Sequence, residues 1–296
     1  MKHIIKQLLY SVLLLVIPAY SDNKVDVVIF SYDRPLQLEL LLTSMERFVV
    51  GTGEISVVYR ASAPAYKKAY KQLQKAYPSI HFVVQGTQPK QDFKPLTEQC
   101  AFTTPSEYIV FAVDDNVVKE PVDVSACIDL LEKYHAYGFY LRMGAHLTDC
   151  YTMSCKQPLP PLQECEAGVY SWCFIQGFAD WGYPNNVDMT LYRKRDIKQV
   201  IMDLTYSNPN TLELQWARNP ASRTKLGLCF ARTKMVNLPL NKVQDSWNNR
   251  NENLLQPEEQ LAKFNKGLAI AIEPLCGIIN KSAHMAYVPT FVKRKR

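Results

Sequence analysis

Glu107-Tyr-Ile-Val-Phe-Ala-Val-Asp-Asp-Asn-Val-Val118 is the stretch on which the reading of this chain turns. Tyr108 to Val113 is an unbroken run of β-branched, aromatic and small apolar residues. Such a run reads as a strand buried on both faces, the pattern of a central parallel strand. It stops at Asp114, Asp115 and Asn116. Those residues then fall at the strand's carboxyl end, where open α/β sheets bind ligands. Two adjacent carboxylates repel each other unless a cation lies between or near them. The pair predicts a divided task, one acid on a metal and the other on a ribose hydroxyl or a metal-bound water. The plainer alternative is a strand followed by an Asp-Asp-Asn turn.

Working outward, the preceding segments alternate strand and helix. Val25 to Phe30 reads as the first strand, closed by the turn Ser31-Tyr-Asp-Arg-Pro35. A helix follows, with Leu38, Leu41, Leu42, Met45 and Phe48 on one face. Glu54 to Tyr59 and Ile80 to Val84 read as further strands. Between them Pro64 opens a helix whose Tyr66, Tyr70, Leu73 and Tyr77 form a packing stripe. Pro95 to Phe102 reads as a short helix and Val122 to Tyr134 as a longer one, with a strand near Phe139 to Met143. This order predicts βαβ units and a mostly parallel central sheet flanked by helices. Right-handed crossovers would bring the loops at 31–35, 60–62 and 114–116 to one edge.

The remainder is less regular. Residues 144–186 hold many Cys, Pro, Gly and aromatic residues and predict a long excursion stapled by disulfides. A helix is expected over Ile197 to Leu204, another start near Asn208 with Asn210 or Thr211 as cap, an extended Val236 to Gln244, and a helix over Glu258 to Phe264.

At the amino terminus, Lys2, His3 and Lys6 precede a short apolar run and then Ala19 and Ser21. This is the pattern of a secretory signal over residues 1–21, preceding one domain at 22–296. The run is about half a bilayer span, which argues against a stable membrane span; tethering by the same segment is the alternative. The even cysteine count, eight, fits disulfides in an oxidising compartment, and the absence of a Cys-x-x-Cys pair argues against a zinc cluster. The net charge of +6 is scattered, and the block Lys293 to Arg296 reads as a solvated tail, so nucleic acid is not an expected partner.

In this order and spacing the parts resemble the GT-A fold glycosyltransferases, in particular family-2-like nucleotide-sugar transferases. Val27-Val-Ile-Phe-Ser-Tyr-Asp-Arg-Pro35 is similar to that family's opening strand and turn, and Val113-Asp-Asp-Asn116 to its acidic metal motif. The resemblance implies a GT-A-like (Rossmann-like) α/β fold, a nucleotide-binding half at about 25–120 and an irregular acceptor-side half at about 121–290. It implies Ser31, Tyr32, Arg34, Arg60 and Asp114 around the nucleotide, although Arg60 stands where the family usually carries an acid. Asp115 is implied as the direct ligand of Mn²⁺ or Mg²⁺, with His284 as the late histidine completing the site. Trp181 to Arg193 looks like the family's Gly- and Arg-containing segment, which places the base for an inverting transfer at Glu213, with Asp188 and then Asp180 in reserve. Trp172 and Trp181 are candidates to stack on an acceptor sugar, and Lys94 to face the diphosphate.

The function implied is a metal-dependent transfer of a sugar from a nucleotide-diphosphate donor to a glycan or other hydroxyl acceptor. A nucleotidyltransferase would need a Gly-rich phosphate loop, and residues 31–35 contain no glycine. The alternative from another class is an exported carbohydrate-binding or effector protein on a catalytically silent scaffold. Export itself raises a question of donor supply, since nucleotide sugars are made in the cytosol.

Overall fold

The computed structural model describes residues 24–243, 250 and 254–295. The expected signal at residues 1–21 lies outside the described residues. The central sheet has nine strands, here β1 (Val25–Tyr32), β2 (Thr52–Arg60), β3 (His81–Val84), β4 (Tyr108–Val113), β5 (Gly138–Gly144), β6 (Gln163–Glu166), β7 (Val169–Cys173), β8 (Thr190–Arg193) and β9 (Leu226–Phe230). Their spatial order is β6-β7-β9-β5-β8-β4-β1-β2-β3. The β1–β2, β2–β3, β1–β4 and β5–β9 pairs are parallel, and β7 and β8 run against the other strands. The sheet is mostly parallel, as its strand–helix alternation predicts.

Among the described residues seven helices flank it: α1 (Pro35–Phe48), α2 (Pro64–Ala76), α3 (Pro89–Phe102), α4 (Val124–Lys133), α5 (Lys194–Asp203), α6 (Pro209–Ala217) and α7 (Pro257–Asn265). Five of them, α1, α2, α3, α6 and α7, open on proline. The first helical position suits it, since its N–H would have no partner there and its φ is already set. Proline is thus the start signal of this fold.

β4 shows why its run is unbroken. Tyr108, Val110 and Ala112 enter one hydrophobic cluster, with residues of α1, α2, α4 and α7. Ile109 and Phe111 enter a second, with residues of α3, α5 and α6. Alternate side chains face opposite sides, so both sets must be apolar. The run ends where Asp114 and Asp115 leave the covered sheet.

Several expectations need correction. The excursion at 144–186 is not stapled: all eight cysteines are free thiols. Two tryptophans take the staple's place there. Trp172 and Trp181 are fully buried and meet edge to face, centroids 5.0 Å apart at 90°, so neither is presented to an acceptor. Their packing adds about 1 kcal/mol beyond the area they bury. The third helix begins at Pro89, with Pro95 inside it, so Lys94 is helical; it donates to the carbonyls of Met202 and Leu204 at the end of α5. The basic tail is only partly solvated. Arg294 pairs with Glu39 at 2.7 Å and lies over the Phe264 ring at 3.7 Å. Among the described residues no helix is long and apolar enough to cross a membrane.

Candidate functional site

The register sets the site. Phe30 of β1 lies beside Val113 of β4, and Tyr32 beside Arg60 of β2. The turn after β1, the end of β2 and the two aspartates after β4 therefore share the carboxyl edge. β8 runs antiparallel to β4, so its entry, Asp188-Met189, reaches the same edge. A short strand, Met235–Asn237, pairs with Asn116–Val118, setting Asn237 beside Asn116 and His284 beside Asn237. Residues more than 250 positions apart in sequence converge on one place.

On the β1 side Asp33, Arg34 and Asp114 are partnered. Asp114 accepts from the Ser31 hydroxyl at 2.8 Å, the Tyr32 backbone N–H at 3.2 Å and Arg34 Nη1 at 3.0 Å. Tyr70, from the α2 packing stripe, reaches Ser31 with its hydroxyl at 2.6 Å. Arg34 also faces Asp115 at 3.5 Å, and its other edge is held by the Asn241 side chain at 2.8 Å and carbonyl at 2.7 Å. Asp33, in a left-handed conformation, accepts from the Ser62 N–H and hydroxyl, tying the first turn to the end of β2. Arg60 stacks over the Tyr32 ring, 4.5 Å from its centroid.

Asp115 is different. Its Oδ1 is buried without a hydrogen-bond partner among the described residues. Burial, with Asp114 and Asp188 nearby, pushes its carboxyl up to about 7 against the pull of Arg34. A buried orphan oxygen on an acid is costly and suits a cation. No group of three or more His, Cys, Asp or Glu among the described residues is placed to hold a metal. The donor set therefore fits a hard cation carried by one carboxylate together with substrate phosphates and waters, the habit of Mg²⁺ and Mn²⁺ sites, and not an all-protein cage.

Beyond Asp115 lies a second cluster, centred on Asp188. Its Oδ1 accepts from the side-chain amides of Asn116 and Asn237, both at 3.2 Å. Its Oδ2 lies 3.9 Å from Arg142 Nη1 and 3.9 Å from His284 Nε2. Arg142, near the end of β5, is fully buried and bonds Asp180 at 3.2 Å. Asp180 is placed by a tight turn, where a side chain on Gly177 would stand 2.3 Å from the Trp181 backbone. Glu213, on the first turns of α6, accepts from the Val187 N–H at 3.1 Å. Burial and then Asp188 push its carboxyl up to about 8. Burial lowers His284 against the pull of Asp188 and Asp180.

The structure thus brings together Ser31, Tyr32, Arg34, Arg60, Asp114 and Asp115 on one side, and Asp188, His284 and Glu213 on the other. His284 stands on Asp188. Sequence reasoning missed Arg142, Asn237 and Asn241. A lone arginine inside the apolar Gly138-Phe-Tyr-Leu-Arg-Met-Gly144 was the available signal for the first. The cap of α6 is Asn208, in a capping box with Thr211, and not Asn210 or Thr211.

No family model matches the chain. A curated relative, the bifunctional glycosyltransferase pgtA of Dictyostelium discoideum, is 24% identical over 265 residues, covering 78% of this chain and 34% of that protein. The chain spans about a third of the length of that relative. Among solved structures, S. aureus TarS 1-349 in complex with UDP-GlcNAc matches at 11% identity and a TM-score of 0.44, over 70% of this chain and 56% of that one. The mannosyltransferase PcManGT from Pyrobaculum calidifontis, in complex with GDP-Man and Mn²⁺, matches at 10% identity and 0.37, over 64% and 50%. By its sheet, its edge acids and its sequence relative, the chain is similar to the GT-A-like nucleotide-sugar transferases.

Proposed function

We propose that this chain is a glycosyltransferase that moves a sugar from a nucleotide-diphosphate donor to a glycan or similar hydroxyl acceptor, with inversion and with a divalent cation. The observation that supports it best is the juxtaposition of Asp115, with its buried orphan oxygen, and a carboxylic acid, Glu213, across Asp188. The named activity of the curated relative points the same way. A silent carbohydrate-binding scaffold is not favoured, because binding alone gives no reason to hold a buried acid up to about 8.

In this reading Ser31, Tyr32, Arg34 and Arg60 form the nucleotide wall, and Asp114 holds a ribose hydroxyl. Asp115 would hold Mn²⁺ or Mg²⁺, with His284 Nδ1, buried and without a partner among the described residues, as a second available donor. A cation bound there would supply positive charge against the diphosphate as it departs. The acceptor oxygen attacks the anomeric carbon as the bond to the diphosphate breaks. Glu213 takes the acceptor proton, and Asp188 is the reserve base. A base with a pKa near the operating pH combines a useful ionised fraction with useful proton affinity. Nε and Nη2 of Arg142, Oδ2 of Asp180 and Oδ1 of Asn237, without partners among the described residues, supply donors and acceptors in the mixture that sugar hydroxyls match.

The test is thermal stability of the full chain against a panel of nucleotide diphosphates, with and without Mn²⁺, beside release of nucleotide diphosphate from nucleotide sugars with carbohydrate acceptors. A ligand that binds only the folded state raises Tm. The expected result is a shift that needs both cation and nucleotide, with transfer lowered at least about 10³-fold in Asp115→Ala. No shift and no transfer with any nucleotide would overturn the proposal.

A further inference from the structure

Arg34 is a cation already installed at the acid pair. Its Nη1 is 3.0 Å from Asp114 Oδ1 and 3.5 Å from Asp115 Oδ2. It is buried, and it is not free to swing away. Nε and Nη2 are both bound to Asn241, through the side-chain oxygen at 2.8 Å and the carbonyl at 2.7 Å. Asn241 is in turn fixed by the Leu255 carbonyl, to which its amide donates at 2.7 Å. All three faces of the guanidinium are therefore occupied.

Resting on the donor-site reading above, we infer that Arg34, clamped by Asn241, is a resident counter-charge that competes with the divalent cation for Asp115 and makes cation binding depend on the nucleotide diphosphate. An ion held by Asp115 Oδ1 sits on the same carboxylate whose other oxygen faces Arg34, within a few ångströms of its positive charge. Little water lies between them to screen the repulsion, because Arg34 and Asp115 are both largely buried. The diphosphate brings the negative charge that offsets it. Cation and nucleotide then enter as a pair, each raising the affinity of the other by the same factor. Asn241 is a positioning residue in this scheme, since it touches neither ligand and acts by holding Arg34.

The experiment measures Mn²⁺ binding through the paramagnetic resonance signal of the unbound ion, with and without UDP and GDP, in the full chain. The wild type is expected to bind free Mn²⁺ weakly and to gain strongly with the nucleotide that fits. Arg34→Met is expected to bind free Mn²⁺ at least about tenfold tighter and to lose most of the nucleotide dependence, and Asn241→Ala to move the same way by less. Arg34→Met leaves two buried acids without their partner. The double variant Arg34→Met/Asp114→Asn keeps the net charge of the trio and carries the same expectation if the single variant fails to fold. Unchanged affinity for free Mn²⁺ in the folded variants would overturn the inference, whether or not those variants still bind nucleotide, and nucleotide binding by the wild type would leave the donor site standing. Absence of nucleotide binding in the wild type would overturn the donor site itself.

Discussion

The half of the chain up to Val118 and the half after it solve opposite problems at one sheet edge. In the first, the polar groups at the strand ends satisfy one another: Asp33 with Ser62, and Asp114 with Ser31, Tyr32 and Arg34. In the second, buried atoms of Arg142, Asp180, Asn237 and His284 lack partners among the described residues. Parallel strands joined by helices hold their ends rigidly, so partners can be built in. The excursions after β5 instead bring charged side chains to the edge from short strands and turns. Buried polar groups are rarely left unpaired in native proteins, so a cluster of them signals a ligand or ordered water that completes the set. Asp115 belongs to the first half by sequence and to the second by chemistry, since one of its oxygens is among the orphans.

The comparison breaks most sharply at Arg142. It is the buried cation of the second cluster, bonded to Asp180 and facing Asp188. Arg142→Met keeps the apolar stem and removes the charge, leaving two buried acids uncompensated. The expected loss is about 3–5 kcal/mol of stability, read by denaturant unfolding. A loss below about 1 kcal/mol would mean that the acids are already neutralised without it, and the two halves would then differ less than their hydrogen bonds suggest.

Much of the first half was legible because its signals are local. A strand buried on both faces must be apolar throughout, and helix starts marked by proline need no knowledge of the rest of the chain. Asp114, Asp115 and Arg34 follow, as strand-end residues next to those elements. In the second half α4, β5, α5 and α7 were readable from their own patterns, whereas Asp188, His284 and Glu213 became candidates only through the resemblance. β6, β7 and β9 were not read, since strands of four or five residues carrying Cys, Gly and Glu show little periodicity. Arg142 was hidden by its setting, because its role depends on Asp180, 38 positions away. Asn237 and Asn241 lie in an extended segment with no pattern of its own; only the pairing with Asn116–Val118 gives Asn237 its place, and only the bonds from Arg34 give Asn241 its own. Trp172 and Trp181 had two readings, stacking on a sugar or core, and an irregular excursion without disulfides takes them as core.

Glu213 sharpens the comparison through pH. Its carboxyl is held above its ordinary value of 4.5, up to about 8, so between those values the folded chain binds a proton that the unfolded chain has released. Stability must then fall as pH rises through that window and level off above it. Glu213→Gln removes the titrating group: its stability should exceed that of the wild type increasingly toward pH 8, with a flatter profile of Tm against pH. Activity should move the other way. If Glu213 is the base, transfer by the wild type rises with pH as the carboxylate forms, and the glutamine variant loses about 10²–10⁴-fold with no such rise. Equal pH profiles of stability in the two proteins would assign the buried acid elsewhere, with Asp188 next in line.

The smallest expected effect concerns how Glu213 is held. α6 is nine residues long, too short to persist without its packing and its cap. Asn208 accepts from the Thr211 N–H at 2.9 Å, and the Thr211 hydroxyl returns a contact to the Asn208 N–H at 3.1 Å. The box fixes the first turns of the helix, and Glu213 lies two residues after Thr211. Asn208→Ala should cost about 1 kcal/mol of stability. Because the cap touches no ligand, donor binding in the presence of Mn²⁺ should not change, while the turnover rate falls as the Glu213 carboxyl loses its fixed approach to the Val187 N–H. Asn208→Asp should restore both, since aspartate caps as well as asparagine. A stability loss with unchanged turnover would show that Glu213 is positioned by its own bond to Val187 and needs nothing from the helix start.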